Sequence, residues 1–577
     1  MSELPAAVKA HPLINAWISL SEDGRVGVTS GKVEIGQGIS LALRQIAADE
    51  LGVDLSAMDI VQGDTRVCPD EGVTAGSLSV AMGGMAVRRA AAAARRHLLA
   101  HAATLLQAKA DDLSVVDGTV LRAGVETDLT LWTLAREVDL AVPITLDDAP
   151  KAPGARTIAG SAASRDDLID KLMGRVFIHD MVMEGMIHGR PIHTAALSSD
   201  GAGIDTAALA ARPGVTVVED GDFLAVLAPR EEDAVAASRW AHSKLAPGEP
   251  DATPIGSPQS LTAHDGTTVV VVDTGDPFPS TGDGVESHVS RPFLAHGSIG
   301  PSCAIALWDA DRLTVWTHSQ SVFRLKAALA ALLQHPQGAI DVIHKQGAGC
   351  YGHNGADDVA ADAALMARTV PGRPVRVVWS RVDEFAAGPL GAPMATRAWA
   401  ALGPDGRVEA MDVSVTSPPH SIRPGPDSPT FRAATALQHP PHLPPPQDIP
   451  AAQGGGAERN ATPLYDIAHQ RVRKTVVADL GVRTSALRSL GAHLNIVAIE
   501  TVMDAAADAA GEDPATYRIA HLSDPRARAV IERATAAARW PQDTDEGEAW
   551  GLGFGRYKNV AGYCAIAALT PRPSSAP

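Results

Sequence analysis

The sequence predicts an α/β fold (α+β mixed) spread over several domains. Three observations carry that expectation. The chain has 577 residues, too many for a single hydrophobic core. Short apolar runs of strand character alternate with runs of helical period. Two glycine-rich stretches, residues 31–38 and 347–358, each stand immediately before a helical pattern.

The elements follow in order. Residues 16–20 and 26–29 flank a Glu22-Asp23-Gly24 turn and read as a hairpin. A helix is predicted from about 39 to 51, with Ile39, Leu43, Ile46 and Leu51 on one side and Gly52 as its stop. An Ala-rich helix over about 85–107 suits close packing. These elements form a first segment, 1–150. Residues 151–255 read as a separate small α/β unit, with a turn-rich lead, strands at 215–218 and 223–227, and a helix over about 231–245. In the last segment, 256–577, strands at 269–272 and 313–316 and helices at 322–333, 494–509 and 527–540 resume the alternation. The Pro- and Gly-rich stretch at about 417–463 has the composition of a disordered linker, but fixed loops over an active site also use proline, so both readings stand.

Composition narrows the function. Apolar content of 45% and charged content of 20% are those of a globular protein. The net charge of −18 argues against nucleic acid and against an anionic membrane surface as partners. No apolar run reaches the length of a membrane span, and no secretory signal opens the chain, so a cytoplasmic location is expected. The four cysteines, Cys68, Cys303, Cys350 and Cys564, are scattered without a CxxC pair, which argues against a zinc site, an iron–sulfur cluster or a disulfide framework in this chain.

The glycine-rich stretches hold the candidate chemistry. Glycines let the backbone approach a large ligand, and amides converging at a helix start can bind an anion. Gln37, between Gly36 and Gly38, can both donate to and accept from a heterocycle; it is also a plain helix-entry residue. Gln320 lies between a strand and a helix, where α/β sheets bind ligands, and beside Ser319 and Ser321, which can cap the helix. The run Thr74-Ala75-Gly76-Ser77-Leu78-Ser79 fits a phosphate, a polar ring or a capped turn. Arg483 and Arg488 offer cations near a tight backbone, for an oxyanion or for a structural ion pair. Cys350 and His353 stand three apart, the spacing of a conceivable thiolate–imidazolium pair and hence of a cysteine hydrolase. There is no Walker lysine, no GxGxxG after a strand and no HExxH.

Taken in order, GKVEIGQG, GDT…PDEGVTAGSLSV, RPFLAHGSIGPS, THSQSVF, GAGCYGHNGADD and RTSALRSLGAH resemble the large molybdenum subunit of the xanthine oxidase family. The nearest branch is the isoquinoline 1-oxidoreductase and nicotinate dehydrogenase type, and the likeness covers about residues 12–566. The resemblance implies a molybdopterin-binding fold with an inserted hammerhead-like domain at 151–255. It implies a molybdenum–molybdopterin cytosine dinucleotide held without any side-chain ligand to the metal. Gly36, Gln37 and Gly38 match cofactor-contacting residues, as do Thr74, Gly76, Ser77 and Ser79 around the pterin and dinucleotide. Gln320 matches a glutamine near an oxo or hydroxo ligand of the metal. Gly349, Tyr351 and Gly352 match the loop whose backbone meets the molybdenum centre, and Ala486 and Arg488 match the substrate-pocket segment.

The implied reaction is hydroxylation of an N-heteroaromatic carbon, or oxidation of an aldehyde, with water as oxygen source. Electrons would leave through a small 2Fe-2S partner subunit toward a cytochrome c or another acceptor. The family's Gly-Glu motif, whose glutamate is the general base, has no counterpart here; Glu34 and Asp357 do not match it. On these motifs the run at 563–566 is expected to be followed by no further sheet, a final segment to be missing, and the chain to be unstable and catalytically silent on its own.

Overall fold

The computed structural model describes residues 3–193, 204–245, 257–275, 284–477, 480–540 and 548–571. Apolar spacing organises the first segment. Ile18–Leu20 and Val26–Ser30 pair antiparallel with Ile18 opposite Val28, and Met58–Gln62 adds parallel to Val26–Ser30. The helix Ile39–Leu51 ends at Gly52, whose φ of 76° is the left-handed C-terminal stop. Leu43, Ile46 and Leu51 share a buried cluster with Val87, Ala90, Ala94 and Leu98 of the helix Met85–Leu106. The alanines lie in the buried stripe of that helix, where small side chains let the two helices close on each other.

A seven-stranded sheet spans the middle of the chain. Its order is Ile340–His344, Arg312–Thr317, Cys303–Asp309, Val375–Val378, Ile187–Ile192, Phe223–Ala228, Thr216–Asp220. Residues 151–255 are expected to stand apart, but their strands continue this sheet: Val375 pairs with Ile187 in parallel, and Phe223–Ala228 pairs back onto Ile187–Ile192. The joining strands lie far apart in sequence, so no local pattern reveals the seam. The helices Val322–Leu333 and Ala356–Ala367 cover the sheet within one buried cluster.

A five-stranded sheet, in the order Thr267–Thr274, His469–Val476, Val408–Ser417, Met394–Leu402, Gly284–Arg291, packs against the helix Ala492–Ala510. Leu552 and Phe554 join that core from an antiparallel ribbon, Glu548–Arg556 with Tyr563–Pro571. The second ribbon strand thus runs past the 563–566 stretch to Pro571; residues 572–577 lie outside the described residues.

The Pro- and Gly-rich stretch 417–463 is a fixed loop. Asp448 accepts from the His420 amide and from the Ala457 amide, both at 2.9 Å, and Arg324 donates to the Pro424 carbonyl at 2.8 Å. Proline lowers the entropy lost on fixing such a loop. Among the described residues, no helix is long and apolar enough to cross a membrane.

Candidate functional site

The loops selected by sequence converge at the carboxyl ends of strands. The turn after Met58–Gln62 meets the strand Ile340–His344: the His344 amide donates to Gly63 O at 2.8 Å, and the His344 Nε2 lies 3.0 Å from Glu34 O. The bases of the two glycine-rich loops are therefore neighbours. Thr74 ties in a third loop. Its hydroxyl accepts from the Val33 amide at 3.0 Å, its amide donates to Gln320 O at 2.9 Å, and its carbonyl accepts from Gln320 Nε2 at 3.0 Å. Gly31 permits this approach, since a Cβ there would lie 2.3 Å from Pro69 O.

On the other side, residues 351–353 pair with 486–488. Arg488 N donates to Tyr351 O, and His353 N donates to Ala486 O, both at 2.7 Å. Gly352 has φ 133°, and a Cβ there would sit 1.9 Å from Ala486 O, so only glycine fits. Gly349 is also left-handed, with φ 93°.

Beside these loops lies a cavity of about 900 Å³. Gly76 and Ala486 line it; Thr74 and Gln320 are buried behind the wall. Lys32, Arg324, Arg423, Arg459 and Lys558 line it together with Asp70, Glu71 and Asp448, so cations outnumber acids here in a chain whose net charge is −18. Arg423, 8% exposed, donates from Nη2 to Gln320 Oε1 at 2.8 Å, while Nη1 is buried without a hydrogen-bond partner among the described residues. A guanidinium taken out of water with an unspent donor is costly; Arg423 lines the cavity as a residue, while Nη1 itself is enclosed by protein. Lys32 donates to the carbonyls of Glu71 and Val73 at 2.6 and 3.0 Å, holding the Thr74 loop against the first cradle; burial pushes its ammonium pKa down. Burial also pushes the Glu71 carboxyl up.

Several sequence expectations are revised. The amides of the first glycine-rich loop do not form an open anion site. Glu34 fills them, accepting from Gly36, Gly38 and Ser40 amides at 2.9, 3.0 and 3.1 Å. Burial works to raise this carboxyl, but those amides prevail and hold it below its ordinary value. Gln37 is exposed and folded into its own loop, donating to Val33 O at 2.9 Å and accepting from the Ile35 amide at 2.7 Å. The start of Ala356–Ala367 carries Asp357 and Asp358 in its first turn, and its first amide, Ala356 N, donates to Asn354 Oδ1 at 3.2 Å; Asp358 accepts from Arg483 Nη1 and the Arg432 amide, both at 2.7 Å. Arg483 is thus a structural ion-pair partner, whereas Arg488 is exposed and does not line the cavity. Ser77 is exposed, with φ 61°, and Ser79 opens the turn before Met85–Leu106.

The cysteine-hydrolase reading fails on geometry. The Cys350 thiol donates to Gly352 O at 3.1 Å, and burial pushes its pKa up. His353 pairs with Asp357 at 3.0 Å, and burial pushes its pKa down to about 4. Among the described residues the two side chains share no hydrogen bond, and burial disfavours the ionised form of each.

Sequence reasoning did not single out Arg423, Asp448, Arg459 or Lys558 as site residues. The first three lie in the proline-rich stretch, where composition masks their placement and no spacing rule marks them.

Residues 4–156 and 265–430 each match the molybdopterin cofactor-binding domain. The chain is 35% identical over 547 residues to a nicotinate dehydrogenase subunit of Pseudomonas putida, covering 92% of this chain and 44% of that protein. It is 23% identical over 608 residues to the beta subunit of isoquinoline 1-oxidoreductase of Brevundimonas diminuta, covering 95% of this chain and 75% of that one. Quinoline 2-oxidoreductase from Pseudomonas putida 86 shares the fold, with a TM-score of 0.53 at 17% identity over 69% of this chain and 57% of its own. The chain spans less than half the length of the nicotinate dehydrogenase subunit it matches. Two molybdopterin-binding domains set around one cation-lined cavity, together with this likeness, place the chain in the xanthine oxidase family of molybdenum-containing oxidoreductases.

Proposed function

We propose that this chain holds a molybdenum–molybdopterin cytosine dinucleotide and serves as the molybdopterin-binding subunit of a hydroxylase acting on an N-heteroaromatic compound or an aldehyde. The observation that carries the reading is a cavity lined from both matched domains, with Lys32, Arg324, Arg423, Arg459 and Lys558 against Asp70, Glu71 and Asp448. The cavity volume of about 900 Å³ falls in the range of cofactor pockets. Its excess of cations over acids suits a polyanion that the net charge of −18 would otherwise repel.

When bound, the cofactor supplies two-electron oxidation with oxygen drawn from water. The chain's own residues hold and orient it. Arg423 donates to an anionic or carbonyl oxygen, and Gln320 keeps that guanidinium and the Thr74 loop in register. Gly76 and the flanking Thr74, Ser77 and Ser79 would follow the pterin and dinucleotide, with Gly36, Gln37 and Gly38 at the adjacent cradle. Gln37 would have to turn out of its own loop to reach a ligand. Ala486 lines the cavity and would face the cofactor, with Tyr351 and Gly352 supporting that wall through their pairing with residues 486–488; Gly349 and Arg488 lie outside the lining and would reach a ligand only by moving. The electrons would pass to a small 2Fe-2S subunit, and from it to a cytochrome c or another acceptor.

Coexpression with an iron–sulfur partner in a host that makes the cofactor, followed by assay of nicotinate-like heterocycles and aromatic aldehydes with a dye acceptor, tests this reading. Turnover that depends on both chains supports it. Cofactor uptake without turnover would reduce the chain to a cofactor-binding relative. Neither uptake nor turnover would sink the proposal.

A further inference from the structure

The turn that closes the ribbon Glu548–Arg556 and Tyr563–Pro571 is held in a costly backbone shape. Lys558 and Asn559 have φ of 54° and 58°, in the left-handed region that non-glycine residues avoid. Asn460, itself at φ 60°, stabilises them. Its Oδ1 accepts from the Lys558 amide at 3.0 Å, and its Nδ2 donates to Arg556 O and Asn559 Oδ1, both at 2.7 Å. Asn559 in turn donates to Thr462 O at 2.9 Å.

This turn aims Lys558 across the fold. Its ammonium donates to Gly76 O at 3.1 Å, joining the ribbon to the loop containing Thr74. Its stem runs over Gly454, where a Cβ would lie 2.8 Å from Lys558 Cδ. Arg459 stands beside it, anchored by donation to Gly454 O, Gly455 O and Tyr557 Oη at 2.8, 2.7 and 3.0 Å. Both cations lie against the Tyr557 ring, Arg459 Cζ at 5.7 Å and Lys558 Nζ at 5.6 Å from its centroid. Both line the cavity. Two like charges on one half-buried ring repel each other; burial, then Arg459, pushes the Lys558 pKa down. An ammonium has three donors, and the Gly76 bond uses one of them.

We propose that Lys558 and Arg459 form an anion clamp for a phosphate of the cofactor, so that cofactor loading locks the ribbon onto the Thr74–Ser79 loop. This rests on the cofactor reading above. The phosphate could be the pyrophosphate of a dinucleotide or the monophosphate of a mononucleotide pterin; the clamp chemistry is the same. An anion between the two cations cancels their repulsion and takes up the spare donors.

The full chain, prepared free of cofactor, is titrated with cytidine 5′-diphosphate, sodium pyrophosphate and orthophosphate while calorimetry and amide hydrogen exchange are followed. The wild type is expected to bind at least one of these saturably, with slowed exchange at 548–571 and 73–79. Tighter diphosphate binding identifies the dinucleotide linkage, and tighter orthophosphate binding identifies the monophosphate. Lys558→Met and Lys558→Gln are expected to weaken binding roughly tenfold, about one charge-assisted hydrogen bond, and to abolish the added protection of the ribbon. Lys558→Arg is expected to restore both.

Wild-type affinity and protection in both neutral variants would overturn the clamp, as would ligand binding that leaves ribbon exchange unchanged. Pterin content after expression in a cofactor-making host separates the two claims. A wild type without pterin removes the cofactor reading and the clamp with it. Equal pterin in wild type and Lys558→Met removes the clamp alone.

Discussion

Arg423 donates from Nη2 to Gln320 Oε1 at 2.8 Å, and the other terminal nitrogen of the same guanidinium is buried without a partner among the described residues. One residue therefore joins the scaffold to the cavity. Arg423→Met is expected to cut cofactor content at least roughly tenfold, because it removes a buried charged donor. Thermal unfolding of the cofactor-free chain is expected to change little. The variant leaves Gln320 Oε1 unpaired and takes a cation away from buried Asp357, but it also removes a buried guanidinium with an unspent donor, and these costs are of opposite sign and similar size, about 1–3 kcal/mol each. Metal analysis alongside calorimetry checks both halves.

Gly352→Ala is expected to break the pairing of residues 351–353 with 486–488. The new Cβ would lie 1.9 Å from Ala486 O, at a φ of 133° that alanine rarely adopts. Backbone against backbone leaves nothing flexible to yield, so a loss of at least about 3 kcal/mol is expected. Denaturant unfolding measures it. Gly372→Ala serves as the comparison. Nothing lies within 4 Å there but φ is 79°, so it isolates the conformational cost and is expected to lose only about 1 kcal/mol.

Much of the scaffold was legible in the sequence because it is local. The helix Ile39–Leu51 with its Gly52 stop, the hairpin at 18–30, and the helix after residues 347–355 follow from period, caps and turn chemistry. The glycine loops were legible as places of close approach. What they approach was not. Glu34 filling its own loop amides, and strands at 187–228 continuing the sheet of 303–378, depend on contacts that no window of sequence contains. The proline-rich stretch was least legible: its composition suits a linker, yet Arg423, Asp448 and Arg459 sit there with fixed partners.

Glu34→Gln tests the filled cradle. The carboxylate accepts from three amides and the Ser40 hydroxyl, whereas a glutamine turns an NH2 toward some of those donors. A loss of about 2–3 kcal/mol is expected at pH 7. In the wild type the Glu34 pKa is lowered on folding, so its contribution is present above pH 4.5 and is lost as pH falls below it. The gap between wild type and variant is therefore expected to narrow in acid, as read by unfolding midpoints from pH 7 to pH 3.

Buried histidines set a second acid limit. Burial pushes His318 down to about 3, and His344 and His353 down to about 4, from an ordinary 6.5. A depressed folded-state pKa means that stability is full above 6.5 and falls as the unfolded chain takes up protons that the folded chain refuses. Each such group contributes a slope of up to about 1.4 kcal/mol per pH unit between 6.5 and its folded value. Stability is expected to drop steeply from pH 6.5 to pH 4. His318→Gln, if the fold survives, is expected to flatten that slope by about one proton, which unfolding free energies across the range would show.

The most direct measurement is the molybdenum and pterin content of the full chain purified from a host that makes the cofactor, counted per folded polypeptide. Both are expected in stoichiometric proportion in the wild type and both strongly reduced in Arg423→Met. A folded wild type with neither, or an Arg423→Met variant as fully loaded as wild type, would contradict the assignment.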